Sequence, residues 1–200
     1  MTLPPPASPP SGSPAILLSL DPASEPAADR SPSTRVIGGR LEVRAGAPGS
    51  IAGYPFAPDS YRDVVIDAVV GIAAGGDDVS TGLFFRQVAE RSYLAFAVTA
   101  DGRCSLLAVE DGIARALSAG TIPPEAPFAR GLGAANRLTV VAIGPCVTGI
   151  VNGFVVTGAV VEPPFKSGLA GVLLVHTGAA GEALAFLQWA QVRAVLVDQA

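Results

Sequence analysis

The 200-residue chain has one histidine and two cysteines, and these scarcities exclude more than its abundant residues establish. Cys104 and Cys146 cannot make a four-thiolate zinc site, and His176 alone cannot complete a Cys2His2 set. The cysteines admit two readings: one Cys104–Cys146 disulfide within a single domain, or two separate buried thiols. The disulfide would bring with it an oxidising compartment. Lysine is equally scarce. Lys166 is the single lysine, the net charge is −4, and no block of like charge occurs. That excludes the clustered basic surface that nucleic acid calls for. Aromatic residues make up only 6% of the chain, so alanine, valine and leucine must fill the interior. No P-loop or GxGxxG is present. A continuous apolar span is missing as well. Leu138 to Val161 carries no charge, but Gly144-Pro145 and Asn152-Gly153 cut it into strand lengths, each short of the ~18 residues of a spanning helix. The start, MTLPPPASPPSGSP, lacks the basic residues and apolar run of a secretory signal. It reads as a Pro/Ser-rich linker over 1–14, ahead of one domain over 15–197.

What is present is a succession of short apolar runs separated by turn residues. The most regular part is Val79 to Val109, read as three strands. Ala100-Asp101-Gly102 joins the second and third, because glycine accepts positive φ without a Cβ clash. Asp63–Ile72 reads as a long valine-rich strand, and Val36–Arg44 as a hairpin around Gly38-Gly39. Asn136–Ile143, Cys146–Val151 and the Phe154 run form a second hairpin set around Asn152-Gly153. Gly46–Ser60 reads as a loop carrying Tyr54. Ala183–Val197 mixes helix-forming residues with no helical stripe and is read as a closing strand. Many short strands at regular spacing point to an all-β, antiparallel two-sheet sandwich.

Four pieces in order carry a family resemblance: DVVIDAVV from Asp63, TGLFFRQVAERSYLAFAVTADGRCSLLAV from Thr81, NRLTVVAIGPCVTGIVNGFVV from Asn136, and KSGLAGVLLV from Lys166 followed by WAQVRAV. In order and spacing the chain resembles a concanavalin A-like, laminin-G-like jelly-roll domain of the bacterial type. The resemblance implies a jelly-roll sandwich. It does not fix the activity, since the same sandwich hosts lectins, adhesion modules, glucanases and the 3-keto-disaccharide hydrolase family. Such bacterial domains are often appended by linkers to larger surface or signalling proteins. An extracellular or cell-surface placement within a larger protein is therefore the expectation.

Glycosidase chemistry uses two carboxylates across the scissile bond. The Glu-x-Asp-x-x-Glu strand of glucanases on this fold is missing. Asp63 and Asp67 would share a strand face, and they read instead as a solvated strand start and a polar outer position. His176 has no nucleophile partner in the pattern. A non-catalytic recognition or adhesion module is expected, with carbohydrate as the ligand class the resemblance implies. A protein ligand, a hydrolase of the 3-keto-disaccharide type and a structural spacer are the alternatives. Tyr54, Tyr61, Tyr93 and Trp189 are the candidate stacking platforms, with Arg86 and Arg103 as polar neighbours. Arg86 closes an apolar run, so a carboxylate (Glu90 or an aspartate across the sheet) or carbonyls must accept from it. Calcium is a cofactor option typical of the family, and Asp77 and Asp78 in a glycine-rich turn are its candidate ligands.

Overall fold

The computed structural model describes residues 16–24, 28–31, 33–56, 60–161, 165–178 and 181–195. The expected 1–14 linker lies outside these. The strands are β1 (Ile16–Leu20), β2 (Ala28–Ser31), β3 (Thr34–Ile37), β4 (Arg40–Ala45), β5 (Ser50–Pro55), β6 (Val64–Ala74), β7 (Val79–Ala89), β8 (Ser92–Thr99), β9 (Arg103–Glu110), β10 (Ile113–Thr121), β11 (Asn136–Ile143), β12 (Cys146–Val151), β13 (Phe154–Val160), β14 (Leu169–His176) and β15 (Ala183–Ala194). They form two antiparallel sheets. One has six strands in the order β10-β9-β8-β7-β14-β5. The other has nine, in the order β13-β12-β11-β6-β15-β4-β3-β2, with β1 pairing β15. Among the described residues no helix is long and apolar enough to cross a membrane.

Alternation along the strands builds the core between the sheets. Val64, Ile66, Ala68 and Val70 of β6 face Leu83 and Phe85 of β7 and Leu94 and Phe96 of β8 in one buried cluster. Two local signals set the turns and spacing. Asn152 and Gly153 both take positive φ, 48° and 87°, as a tight hairpin turn between β12 and β13 requires. Gly171 in β14 leaves room for a ring: a Cβ there would stand 2.3 Å from Cζ of Phe84.

The structure departs from the sequence reading at particular places. Residues 50–55 form the edge strand β5 and not a loop. Gly53 and Pro55 weaken the strand signal, yet an edge position tolerates a residue that cannot donate to the ladder. Ala183–Ala194 is the expected closing strand, seated between β6 and β4. Asp67 takes the expected polar outer position, alternating with the core-facing Ile66 and Ala68, but it is covered there by its neighbours. Its side chain is 1% exposed and lies between Arg137 (2.9 Å) and Arg193. It also accepts the Thr139 hydroxyl at 2.6 Å. Asp63 accepts the Gly144 N–H at 2.7 Å. Both aspartates are thus engaged in the scaffold.

Candidate functional site

The outer face of the six-stranded sheet carries the candidate site. Leu83 and Phe85 point into the core, so Phe84 between them points out. It meets Tyr93, Ala95, Val109 and Leu173 in a second apolar cluster on that face. The Phe84 and Tyr93 rings are 6.0 Å apart and inclined at 59°, a tilted arrangement within the range of favourable aromatic pairs. Over them lies a cleft of about 680 Å³, within the size range of small-ligand sites. One wall is β5, through Ile51, Gly53 and Pro55; the other is the β7–β8 turn, Gln87 to Arg91.

That second wall is built by Arg86. The β7–β8 register shifts between Phe85 and Ala89, and Arg86 takes φ 50° there. The side chain is 2% exposed. Its Nε and Nη2 donate to the Arg62 carbonyl at 3.2 and 2.9 Å, and Nη1 donates to the Phe165 carbonyl at 3.2 Å. The Asp63 carboxylate stands 3.8 Å away. Burial lowers the guanidinium pKa, while Asp63 acts in the opposite direction. Arg86 therefore ties the segments ahead of β6 and β14 to the root of the turn. The expected ligand contact is corrected accordingly: the donors are spent inward, and the nearby acid is Asp63 in place of Glu90.

The cleft is chemically lopsided. Its floor is apolar, with Phe84, Val109 and Leu173 clustered beside Tyr93, which brings a hydroxyl. Burial raises the pKa of that hydroxyl. Polar groups stand on one wall: Gln87, Glu90 and Arg91. Gln87 donates to the Glu90 carbonyl at 3.1 Å, and the Gly112 N–H donates to the Arg91 carbonyl at 2.8 Å. Glu90 is the only carboxylate among the described lining residues. Across the sheet, one outward row runs Ala116, Leu107, Ala95, Phe84, Gly171, Pro55. The next runs Ala119, Ser105, Ala97, Gly82, Leu173, Gly53. Neither row holds an acid, whereas glycosidases place two carboxylates within ~10 Å of each other.

Of the expected ligand contacts, Tyr93 lines the cleft and five do not. Arg103 shares the outer face but lies six residues along β9 from Val109, the partner of Tyr93, or about 20 Å at strand rise. It is held by Asp101 at 3.1 Å and by the Asp77 carbonyl. The Thr99 hydroxyl, with Arg103 adding, holds the Asp101 carboxyl below the ordinary range. Tyr54, one step off Gly53, turns inward and packs on the main core, of which Tyr61 is itself a buried member. Trp189 belongs to β15 in the opposite sheet, beside Val69. Arg86 is internal, as described.

Asp77 and Asp78 gain no third ligand: among the described residues no group of three His, Cys, Asp or Glu gathers. The Asp78 carbonyl is occupied by the Thr177 N–H and hydroxyl, at 3.1 and 2.8 Å.

The disulfide is not formed. Cys104 is buried in β9 of one sheet and Cys146 is exposed in β12 of the other, and both are free. Burial raises the Cys104 thiol pKa, making it a poor nucleophile. Thiol titration without reductant is expected to count one prompt thiol in native protein and two after denaturation. A count of zero after denaturation restores the disulfide.

Sequence reasoning missed the wall itself. Ala89 to Arg91 read as a plain turn, and Ile51 sat in an assumed loop. The signal available was the length of the run between Phe85 and Ser92, longer than a two-residue hairpin needs.

No protein-family model and no curated protein sequence matches the chain. Solved structures do match its fold. The carbohydrate-binding module CBM66 from Bacillus subtilis shares 18% identity, with 88% of this chain and 95% of that one covered and a TM-score of 0.64. The catalytic domain of an endo-1,3-beta-glucanase (laminarinase) from Thermotoga petrophila RKU-1 shares 9%, with 90% and 98% covered and a TM-score of 0.65. A beta-glucanase from Bacillus licheniformis shares 9%, with 93% and 100% covered and a TM-score of 0.61. The fold is thus the expected all-β, concanavalin A-like jelly roll.

Proposed function

We propose that this protein is a non-catalytic carbohydrate-binding module whose ligand enters the cleft over Phe84 and Tyr93. The observation that carries the reading is the lopsided lining. A sugar ring has an apolar face and a polar rim, and the cleft offers an apolar floor beside one wall holding Gln87, Glu90 and Arg91. The lone carboxylate favours binding over hydrolysis. The shared fold with a carbohydrate-binding module supports the same reading. The shared fold with glucanases keeps hydrolysis, including the 3-keto-disaccharide type, as the alternative to be tested. A surface-exposed setting within a larger protein belongs to this proposal.

The test is a glycan array, probed with calcium and again with chelator, followed by a reducing-end assay on each bound glycan. One sugar class is expected to bind in both conditions without being cleaved. Arg91→Ala and Glu90→Ala, both exposed positions, are expected to weaken binding tenfold or more, since hydrogen bonds to charged groups contribute ~1.5–3 kcal/mol. Silence on the array in both conditions overturns the carbohydrate reading. New reducing ends overturn the non-catalytic one. Binding lost only in chelator brings Asp77 and Asp78 back as calcium ligands.

A further inference from the structure

The outer face of the nine-stranded sheet carries a second set of ligand-type side chains. We propose that this face binds an acidic sugar, a uronic acid ring laid on Trp189 with its carboxylate held by Arg137 and Arg193. This site is apart from the Phe84/Tyr93 cleft and stands whether or not the cleft binds carbohydrate.

The pairing registers place the residues. β11, β6 and β15 lie side by side, and three rows cross them: Arg137–Val69–Trp189, Thr139–Asp67–Gln191 and Val141–Val65–Arg193. Ile66, Ala68 and Val70, between the rows on β6, face the core, so alternation turns the three rows outward. Strands lie ~4.8 Å apart and same-face neighbours along a strand ~6.7 Å, so the grid covers about 10 by 13 Å. That is room for one or two sugar rings. Trp189 is partly exposed and belongs to neither buried apolar cluster. Val69, also partly exposed, stands between the indole and Arg137 as a low apolar floor. An aromatic side chain left open beside such a floor suits the apolar face of a sugar.

The arginines are set in place by the scaffold. Asp67 accepts from Arg137 Nε at 3.0 Å and Nη2 at 2.9 Å, and from Arg193 Nη2. One buried carboxylate thus orients two guanidiniums and neutralises one of them. Arg137 is 52% exposed, so the rest of its fork meets solvent. Arg193 Nε is buried with no hydrogen-bond partner among the described residues, a donor still short of an acceptor.

The surrounding charge has the matching sign. Arg35 and Arg44 on this face are paired with Glu42 and Glu182. Arg40, over the Phe186 ring, adds a further cation. Asp21 and Asp63, which flank the grid after β1 and before β6, are engaged with the Ala23 and Gly144 N–H groups. In a chain of net charge −4 this face is locally positive, and a planar carboxylate matches the guanidinium fork.

Trp189 is the chain's single tryptophan, so its indole N–H signal reports this face alone. Titrating the full chain with trigalacturonic acid is expected to shift that signal saturably, with maltotriose giving no shift and added salt weakening the effect. Arg137→Ala is expected to raise the Kd at least tenfold, and Arg137→Lys, which keeps the charge without the fork, to raise it less. Gln191→Glu sets a carboxylate between Trp189 and Arg193 and is expected to abolish the shift; it keeps the test decisive where Arg137→Ala fails to fold. Arg91→Ala, in the cleft, is expected to leave the shift unchanged. No saturable shift, or a shift that survives Gln191→Glu, overturns the site. Loss of the shift with Arg91→Ala overturns it too, by moving the uronate into the cleft. An equal response to maltotriose or to a sulfated trisaccharide overturns the choice of a carboxylate-bearing sugar.

Discussion

Arg86→Met is expected to destabilise the domain by about 3–5 kcal/mol in urea unfolding. The change keeps much of the side-chain length and removes the fork of donors. The Arg62 and Phe165 carbonyls then lose their partners, and each buried acceptor left unpaired costs ~1–3 kcal/mol. Asp63 loses its nearby cation but keeps the Gly144 N–H, so it adds a smaller term. Arg86→Lys is expected to fall between the two, because an ammonium supplies point donors and no planar fork. Ligand affinity should drop with Arg86→Met wherever the protein remains folded, since Gln87 to Arg91 stand directly on this residue. A loss of stability below ~1 kcal/mol would show that the fork is not what holds the segments before β6 and β14.

Asp67→Ala is expected to cost about 2–3 kcal/mol. Breaking a buried charge pair by removing one member typically costs ~3–5 kcal/mol. Here the figure is reduced, because Arg137 and Arg193 are 52% and 29% exposed and can turn toward water. Asp67→Asn, which still accepts from Thr139 and Arg137, should cost less than the alanine change. Neither variant should alter ligand affinity, as Asp67 lies in the sheet opposite the cleft. A folded Asp67→Asn protein that fails to bind would contradict this and reopen a functional role for the Asp63/Asp67 pair.

Elements whose signals are local were legible in the sequence. β7, β8 and β9 declare themselves by alternation and by Ala100-Asp101-Gly102, and β12–β13 by Asn152-Gly153. β5 was not legible, because Gly53 and Pro55 are strand-compatible only at an edge, and edge position is a property of the whole sheet. With β5 read as a loop, no face could be assigned to Tyr54. The cleft was hidden for a related reason. Its floor and walls come from β5, the β7–β8 turn, β9 and β14, which only the pairing order brings together. Arg86 could be read as buried, but its acceptors are carbonyls of Arg62 and Phe165, which no side-chain pattern announces. Alternation likewise gave no hint that Cys104 and Cys146 belong to different sheets.

The place of β15 has a consequence for how the molecule is made. This strand fills the gap between β6 and β4, joining residues 183–194 to partners more than a hundred positions earlier. Until it leaves the ribosome, β6 and β4 each present an open edge, and the nine-stranded sheet exists as two unjoined halves. The six-stranded sheet also waits on late synthesis, for β14, but its β7 to β10 run pairs neighbour to neighbour and can form as it emerges. Assembly should therefore be ordered in time: a hairpin array first, then a late, slow closure through long-range pairing. A ribosome-stalled chain ending before residue 183 should accordingly be protease-sensitive in β4 and β6 while β7 to β9 already resist cleavage.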